Sequence, residues 1–245
     1  MIVLGFDTAT AATAVGLLQD AAPEGEGVGG EGRRGGDGRG SERRHDPAPG
    51  ERPGHGPLLL ALAHELLEAE GLTFGDVDRI GVGLGPGGFT GLRIGVASAR
   101  ALAQASGAEL VGVSTLEALA SAAHPTPGQG VLAVVDARRG EVFVAGWRDG
   151  EQVAGPLAIA PSRIAEIAGE GWLAIGDGAL RFRDDLEGAG CLVPEDGSDG
   201  LVGLVQHGVS GLAVCRLARQ VSQPPRRDLV VPDYLRKPDA VPSKP

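Results

Sequence analysis

Apolar and polar positions along this chain fall into two successive series of short blocks. Residues 2–6 are a continuous apolar run that ends at Asp7, which predicts a buried strand closing in the polar turn Thr8-Ala9-Thr10. Residues 12–18 predict the return strand of a hairpin. Leu59, Leu62, Leu66 and Leu67 then recur at helical spacing within 57–70. A strand over 80–84 and a helix over 90–106 follow, the helix carrying Leu92, Val96, Ala99 and Ala103 on one face. Thr90 is the expected N-cap of that helix. A strand over 109–113 precedes a helix opened by Ser114, where Glu117 completes a capping box. Pro125-Thr126-Pro127-Gly128 is a break.

The second half starts the series again. Residues 131–136 are an apolar run ending in Asp136, residues 137–140 a turn, and 141–147 the return strand. A third strand is expected over 152–159, and a short helix from Pro161-Ser162. Residues 172–175 form a strand that runs into the turn Gly176-Asp177-Gly178. Residues 201–220 predict one long helix, against the weakening effect of Gly203, Gly208 and Gly211. These blocks divide the chain into an N-terminal lobe over 1–125, a smaller lobe over 126–223 and an extended, proline-rich tail over 224–245.

One segment breaks the pattern. Residues 20–56 are glycine, arginine, glutamate and proline with almost no apolar side chains. Such a stretch buries too little surface to offset its ordering entropy, so a disordered insertion in the hairpin loop is expected. Its acids roughly balance its arginines, which disfavours a nucleic-acid-binding arm.

Composition narrows the function. The 245 residues are 42% hydrophobic but only 3% aromatic, so the core is aliphatic. A net charge of −10 argues against a dedicated nucleic-acid binder, which presents a basic face. The two cysteines, Cys191 and Cys215, make no disulfide framework and suit a reducing, cytoplasmic compartment. No signal peptide and no membrane-length apolar run are expected, hence no membrane partner.

The chemistry concentrates in Gly85-Pro86-Gly87-Gly88-Phe89-Thr90-Gly91-Leu92-Arg93-Ile94-Gly95. Glycines before a helix allow close approach of a phosphate or of another chain. A phosphate loop of the lysine-bearing kind is excluded, because the segment has no lysine. The spacing of Gly83, Gly85 and Gly88 fits a dinucleotide turn, but the required acid, Glu109, stands at the start of its strand, the wrong end for a ribose. Nor is there a nucleophile elbow around a serine, and the five histidines form no ligand cluster. Helix 90–106 has a second stripe of small and apolar residues, Ile94, Ala97, Ala101 and Ala105, which implies burial on two sides.

A duplicated hairpin-plus-α/β lobe with Asp at each first-strand end resembles the actin, sugar-kinase and Hsp70 superfamily. The ordered motifs Asp7-Thr8-Ala9-Thr10, Gly85 to Gly95, Asp136-Ala137-Arg138-Arg139-Gly140-Glu141-Val142 and Pro232-Asp233-Tyr234-Leu235-Arg236 are similar to those of the TsaB (YeaZ) family. That resemblance implies an α/β fold of duplicated actin/Hsp70-like lobes, each a mixed sheet with helices. It also implies a non-catalytic scaffold for the paralogue TsaD, which threonylcarbamoylates the adenosine next to the tRNA anticodon. The implied partners are TsaD in a heterodimer, the ATPase TsaE, a second copy of the chain, and tRNA indirectly. No tightly bound cofactor and no metal are implied, and ATP or ADP is expected only at the interface with TsaD. The catalytic paralogue has two metal-binding histidines four residues apart, whereas here His55 is followed four residues later by Leu59. The expected partner surface is Leu92, Arg93, Val96, Ala99, Arg100 and Ala103. Asp7, Thr8, Thr10 and Asp136 are candidate remnants of a nucleotide site, or else close tight turns through their own backbone. The alternatives are an ATP-hydrolysing or phosphotransferase protein of the same fold and, more remotely, a metalloprotease relative.

Overall fold

The computed structural model describes residues 1–20, 38–48, 50–195, 199–200, 203–204 and 207–236. The first apolar run is β1 (Ile2–Asp7), paired antiparallel with β2 (Thr13–Gln19). β3 (Arg39–His45) pairs with β2 along its whole length. β4 (Arg79–Gly83) and β5 (Glu109–Val113) extend the sheet in parallel from β1, in the order β3-β2-β1-β4-β5. The second sheet contains β6 (Gly130–Arg138), β7 (Glu141–Arg148), β8 (Glu151–Ile159) and β9 (Trp172–Ile175), in the order β8-β7-β6-β9. The second order is the first without its fifth strand, so the duplication is one of topology.

Alternation along β1 and β6 sends successive side chains to opposite faces and builds five layers. Leu4, Phe6, Val15 and Leu17 face α1 (His55–Ala69) and α2 (Phe89–Ser106), packing with Leu59, Leu66, Val96 and Ala99. Val3, Leu18 and Val111 face the other way, onto α3 (Thr115–Ser121) and α6 (Gly211–Gln220). The same layer is closed from beyond by Val131, Ala133 and Val135 of β6. Leu132, Val134, Val142 and Val144 then face outward, under α4 (Asp177–Arg181) and α5 (Arg183–Gly188).

Helix α6 belongs to the second half of the chain but lies on the first sheet, so the lobes interlock. Three strand glycines make that contact. A Cβ at Gly16 would collide with the backbone of Gly211, one at Gly5 would stand 2.7 Å from Cys215 Sγ, and one at Gly81 2.8 Å from Ala218 Cβ. Cys215 is fully buried there, its thiol donating to the Gly16 carbonyl at 3.2 Å, and burial pushes the thiol pKa well up. Arg79, only 7% exposed, donates to the carbonyls of Ala218 and Val221 at the end of α6 and to Glu109. Glu109 is therefore held by an ion pair, consistent with rejection of the dinucleotide site.

Several expectations are corrected. The insertion over 20–56 is not wholly unstructured: its residues 39–45 are β3, and α1 already begins at His55. Residues 21–37 and 49 lie outside the described residues. The long helix over 201–220 is only α6, from Gly211; residues 203–204 (β11) pair with 199–200 (β10), and 201–202 and 205–206 lie outside the described residues. Helix α2 starts one residue before Thr90, with Gly88 at its cap. The Gly88 N–H donates to the Ala9 carbonyl at 2.6 Å and the Gly88 carbonyl accepts from Leu92 N–H at 3.0 Å, which fixes the start there. The tail is not a free extension up to residue 236: it makes a 3-10 turn at Arg227–Leu229 and then crosses back over both lobes, while 237–245 lie outside the described residues.

Candidate functional site

A cleft of about 760 Å³ opens between the lobes, where the first hairpin turn, the start of α2, the β6–β7 hairpin and the tail meet. The glycine-rich run forms one wall, and its glycines are there for contact. A Cβ at Gly87 would collide with the Ala9 carbonyl, at Gly91 with the Thr8 carbonyl, and at Gly95 with Thr8 Oγ1. Thr8 Oγ1 donates to the Gly91 carbonyl at 2.8 Å. The run thus seats α2 directly on the turn after β1, and the hydroxyl expected to face phosphate serves the α2 backbone.

Asp7 lies beneath the cleft rather than in its lining. It is 1% exposed, and both carboxylate oxygens are engaged. Oδ1 accepts the Ala9 N–H at 2.7 Å and Oδ2 accepts from Thr115 Oγ1 at 2.6 Å. Burial holds its pKa above the ordinary carboxylate value, with these two hydrogen bonds opposing the shift. A Cβ at Gly83 would fall on this carboxylate, so that glycine makes room for it. Thr10 is half-buried on the cleft wall. Beside it His55 is 5% exposed, its Nδ1 2.8 Å from Thr13 Oγ1, and burial lowers its pKa.

Asp136 is in the opposite wall, as the duplication requires. Its Oδ1 accepts the Arg138 N–H at 2.8 Å and its Oδ2 accepts from Arg181 Nη1 at 2.7 Å. Asp177, which opens α4, accepts the Asp136 N–H at 3.0 Å. Burial raises the Asp177 pKa, and the neighbouring Asp136 charge adds to the rise. Arg138, Arg139 and Gly140 all have positive φ, at 64°, 58° and 78°. Arg139-Gly140 is the two-residue turn between β6 and β7, and this left-handed pair is what such a hairpin requires. The result directs Arg138 along the cleft wall beside Asp136, to which it also forms an ion pair at 3.2 Å. Among the described residues, no group of three or more His, Cys, Asp and Glu side chains is gathered to hold a metal.

The tail supplies the remaining edge. Tyr234 Oη accepts from Arg93 Nε at 3.0 Å, and the Arg93 guanidinium lies 3.7 Å above the Phe89 ring. The structure therefore brings Thr8, Thr10 and Asp136 to one cleft and puts Asp7 under it. Sequence reasoning missed His55, Arg138, Asp177 and Tyr234 as lining. The signal for Asp177 was on the page, since it follows the apolar strand Trp172–Ile175 much as Asp7 ends β1 and Asp136 ends the apolar run of β6.

The expected partner stripe needs correction. Leu92, Val96, Ala99 and Ala103 are 1%, 3%, 0% and 0% exposed within the single chain. Val96, Ala99 and Ala103 belong to the core between the first sheet and α1 and α2, and Leu92 is equally buried, so the four are not available to a second protein. Arg93 is exposed but engaged with Phe89 and Tyr234, and Arg100 is half-buried. The outward stripe is the other one: Ala97, Ala101 and Ala105 are exposed and Ile94 is half-buried.

Two lobes sharing one strand order, each with an acid after the apolar run of its first strand and a cleft between them, define the actin/Hsp70-like class of α/β proteins. Residues 52–182 match the family model described as TsaD: tRNA N6-adenosine threonylcarbamoyltransferase. The tRNA threonylcarbamoyladenosine biosynthesis protein TsaB of Escherichia coli (strain K12) is 33% identical over 208 residues, covering 80% of this chain and 80% of that protein. The protein of the same description from Haemophilus influenzae is 37% identical over 90 residues, covering 36% of this chain and 38% of its own length. A crystal structure of an uncharacterized protein with similarity to peptidase YeaZ from Pseudomonas aeruginosa superposes with a TM-score of 0.70 at 26% identity, covering 96% of this chain and 99% of that chain. This chain belongs to the TsaB (YeaZ) family.

Proposed function

We propose that this chain is a non-catalytic partner of a TsaD-type transferase in threonylcarbamoylation of the adenosine next to the tRNA anticodon. The observation that carries this reading is the commitment of Asp7 and Thr8 to the fold. An acid that must orient a metal-bound phosphate needs a free carboxylate in the cleft, and both Asp7 oxygens are already bonded below it. The relatives' description as biosynthesis proteins of this modification supports the pathway. The match of residues 52–182 to the transferase model supports a shared ancestry with the proposed partner.

The contact surface proposed is the outer face of α2, with Ala97 and Ala101 at its centre, together with Leu60, 45% exposed, on the neighbouring helix α1. Small side chains let a partner helix approach closely. A transferase matched by the same model over 52–182 carries the counterparts of α1 and α2, so a pseudo-symmetric meeting of the two helix pairs is the expected geometry. The same surface serves self-association when the partner is absent. TsaE joins the assembled pair, and tRNA is held mainly by the partner, as a net charge of −10 favours.

A second reading concerns nucleotide. The cleft volume and the position of Thr10 opposite Arg138 favour ATP or ADP in the assembled complex, with those residues rather than Asp7 and Thr8 meeting the phosphates. The test of the main reading is reconstitution of the modification from purified components with and without this chain. Loss of product without it, together with no ATP turnover by it alone, is the expected result. Full modification in its absence, or a robust ATPase of its own, would reject the reading.

A further inference from the structure

The last described residues cross the mouth of the cleft, and each grips a different part of the molecule. Val230 is 2% exposed and enters the core under α1 and α2. The Asp233 N–H donates to the Leu84 carbonyl at 2.8 Å, just beyond the end of β4. Tyr234 stacks on Phe89 with ring centroids 5.2 Å apart and accepts from Arg93. Leu235 packs against the other core, the layer between the two sheets. Arg236 donates to Glu141 Oε2 at 2.9 Å, and Glu141 opens β7 in the second lobe.

Two cores and two lobes are thus joined by seven residues with no strand pairing of their own. The spacing matters. Tyr234 is held at the start of α2, Arg236 at the β6–β7 hairpin, and one residue separates them. A displacement of either grip by more than the slack of two peptide units must be passed to the other.

We propose that residues 230–236 are a clasp that ties the second lobe to α2 across the cleft, so that the β6–β7 turn and the first turn of α2 move as one body. The clasp goes beyond the partner role and does not depend on it. Its consequence for the cleft is direct: Tyr234, Leu235 and Arg236 line it, so releasing the clasp widens the mouth. The two grips are of unequal strength. Both lie at the surface, with Phe89 and Tyr234 each 39% exposed and the Arg236–Glu141 pair 31% and 41% exposed, but the first combines a ring pair, a cation over a ring and a hydrogen bond, whereas the second is a single screened ion pair.

The test is amide hydrogen exchange on the full chain, comparing wild type with Tyr234→Ala and Arg236→Gln. Tyr234→Ala removes the contacts with Phe89 and Arg93 of the first lobe, yet the clasp predicts that it speeds exchange of the 139–142 amides by about fivefold or more, along with those of 232–236. Arg236→Gln, which releases the weaker grip, should speed the 139–142 amides by a smaller factor, about twofold, with a smaller rise at 89–93. Unchanged exchange at 139–142 in Tyr234→Ala would overturn the clasp and leave two unconnected surface contacts. Tyr234→Phe, which keeps the ring and loses the hydroxyl, should give an intermediate effect; equality with Tyr234→Ala would move the grip from the ring to the hydrogen bond while preserving the clasp.

Discussion

Single atoms decide how the turn after β1 is used. Thr8 faces α2 with both its carbonyl and its hydroxyl, and the glycines opposite leave no space for a methyl group. Gly91→Ala should therefore lower stability by about 2 kcal/mol, although alanine is the better helix former by about 1 kcal/mol. Gly56→Ala, where the added Cβ meets nothing within 4 Å in α1, should instead raise it by about 0.5 kcal/mol. Chemical denaturation midpoints check both, and equal shifts for the two would refute the close-packing role.

Protons give a second test at this scale. The folded-state pKa values of Asp7 and Asp177 are raised, so the folded chain binds more protons than the unfolded one above the unfolded value of about 3.9. Their contribution to stability falls as pH rises through that window and is constant beyond it. His55 acts with the opposite sign. Its folded pKa is lowered, so its burial begins to destabilise as pH falls below the unfolded value of about 6.5. Unfolding free energy measured between pH 4 and 8 should have its first limb reduced in Asp7→Asn, where Asp177 still contributes, and should lose its second in His55→Asn. An unaltered profile in both variants would contradict these environments.

At the scale of elements, what the sequence made legible depends on where each element gets its stability. β1, β2, β4, β5, β6 and β7 are continuous apolar runs because both faces of each sheet are covered, and they were read to within a residue or two. β3 was missed because Arg39-Gly40-Ser41-Glu42-Arg43-Arg44-His45 has no apolar alternation. It is a charged edge strand, stabilised by pairing with β2, and its charges discourage a further strand. The length of α6 was overread: Leu201, Val202 and Leu204 continue an apolar pattern in the sequence, but the described residues 203–204 are in β11 and 207–210 precede the helix. Its true start is set from outside: Glu42 of β3 accepts from Ser210 Oγ at 2.5 Å and from the Leu212 N–H at 3.0 Å. Glu42→Ala should destabilise by about 1–2 kcal/mol through loss of this acidic cap, with exchange rising selectively in the first turn of α6. Uniform protection along α6 in that variant would show that β3 does not fix its start.

Over the whole molecule, the site was legible as two turns that each follow an acid, but not in its working details, since Asp136 lines the cleft while Asp7 lies beneath it. A spacing argument identifies two stripes on α2 and is silent on which one the sheet claims. The core takes Leu92, Val96, Ala99 and Ala103, and the exposed Ala97 and Ala101 are the face we propose for the partner. This reassignment separates folding from binding. Val96→Asp should unfold the chain, by placing an unpaired charge in the core, and so cannot report on an interface.

The central claim is that the outer face of α2 engages a TsaD-type partner, and the most direct measurement is the affinity of that complex by titration calorimetry. Wild-type chain is compared with Ala97→Glu/Ala101→Glu, whose melting temperature is recorded alongside. The account predicts a one-to-one complex with wild type and at least about a hundredfold weaker binding by the variant, at an unchanged melting temperature. Undiminished affinity in the well-folded variant would contradict it.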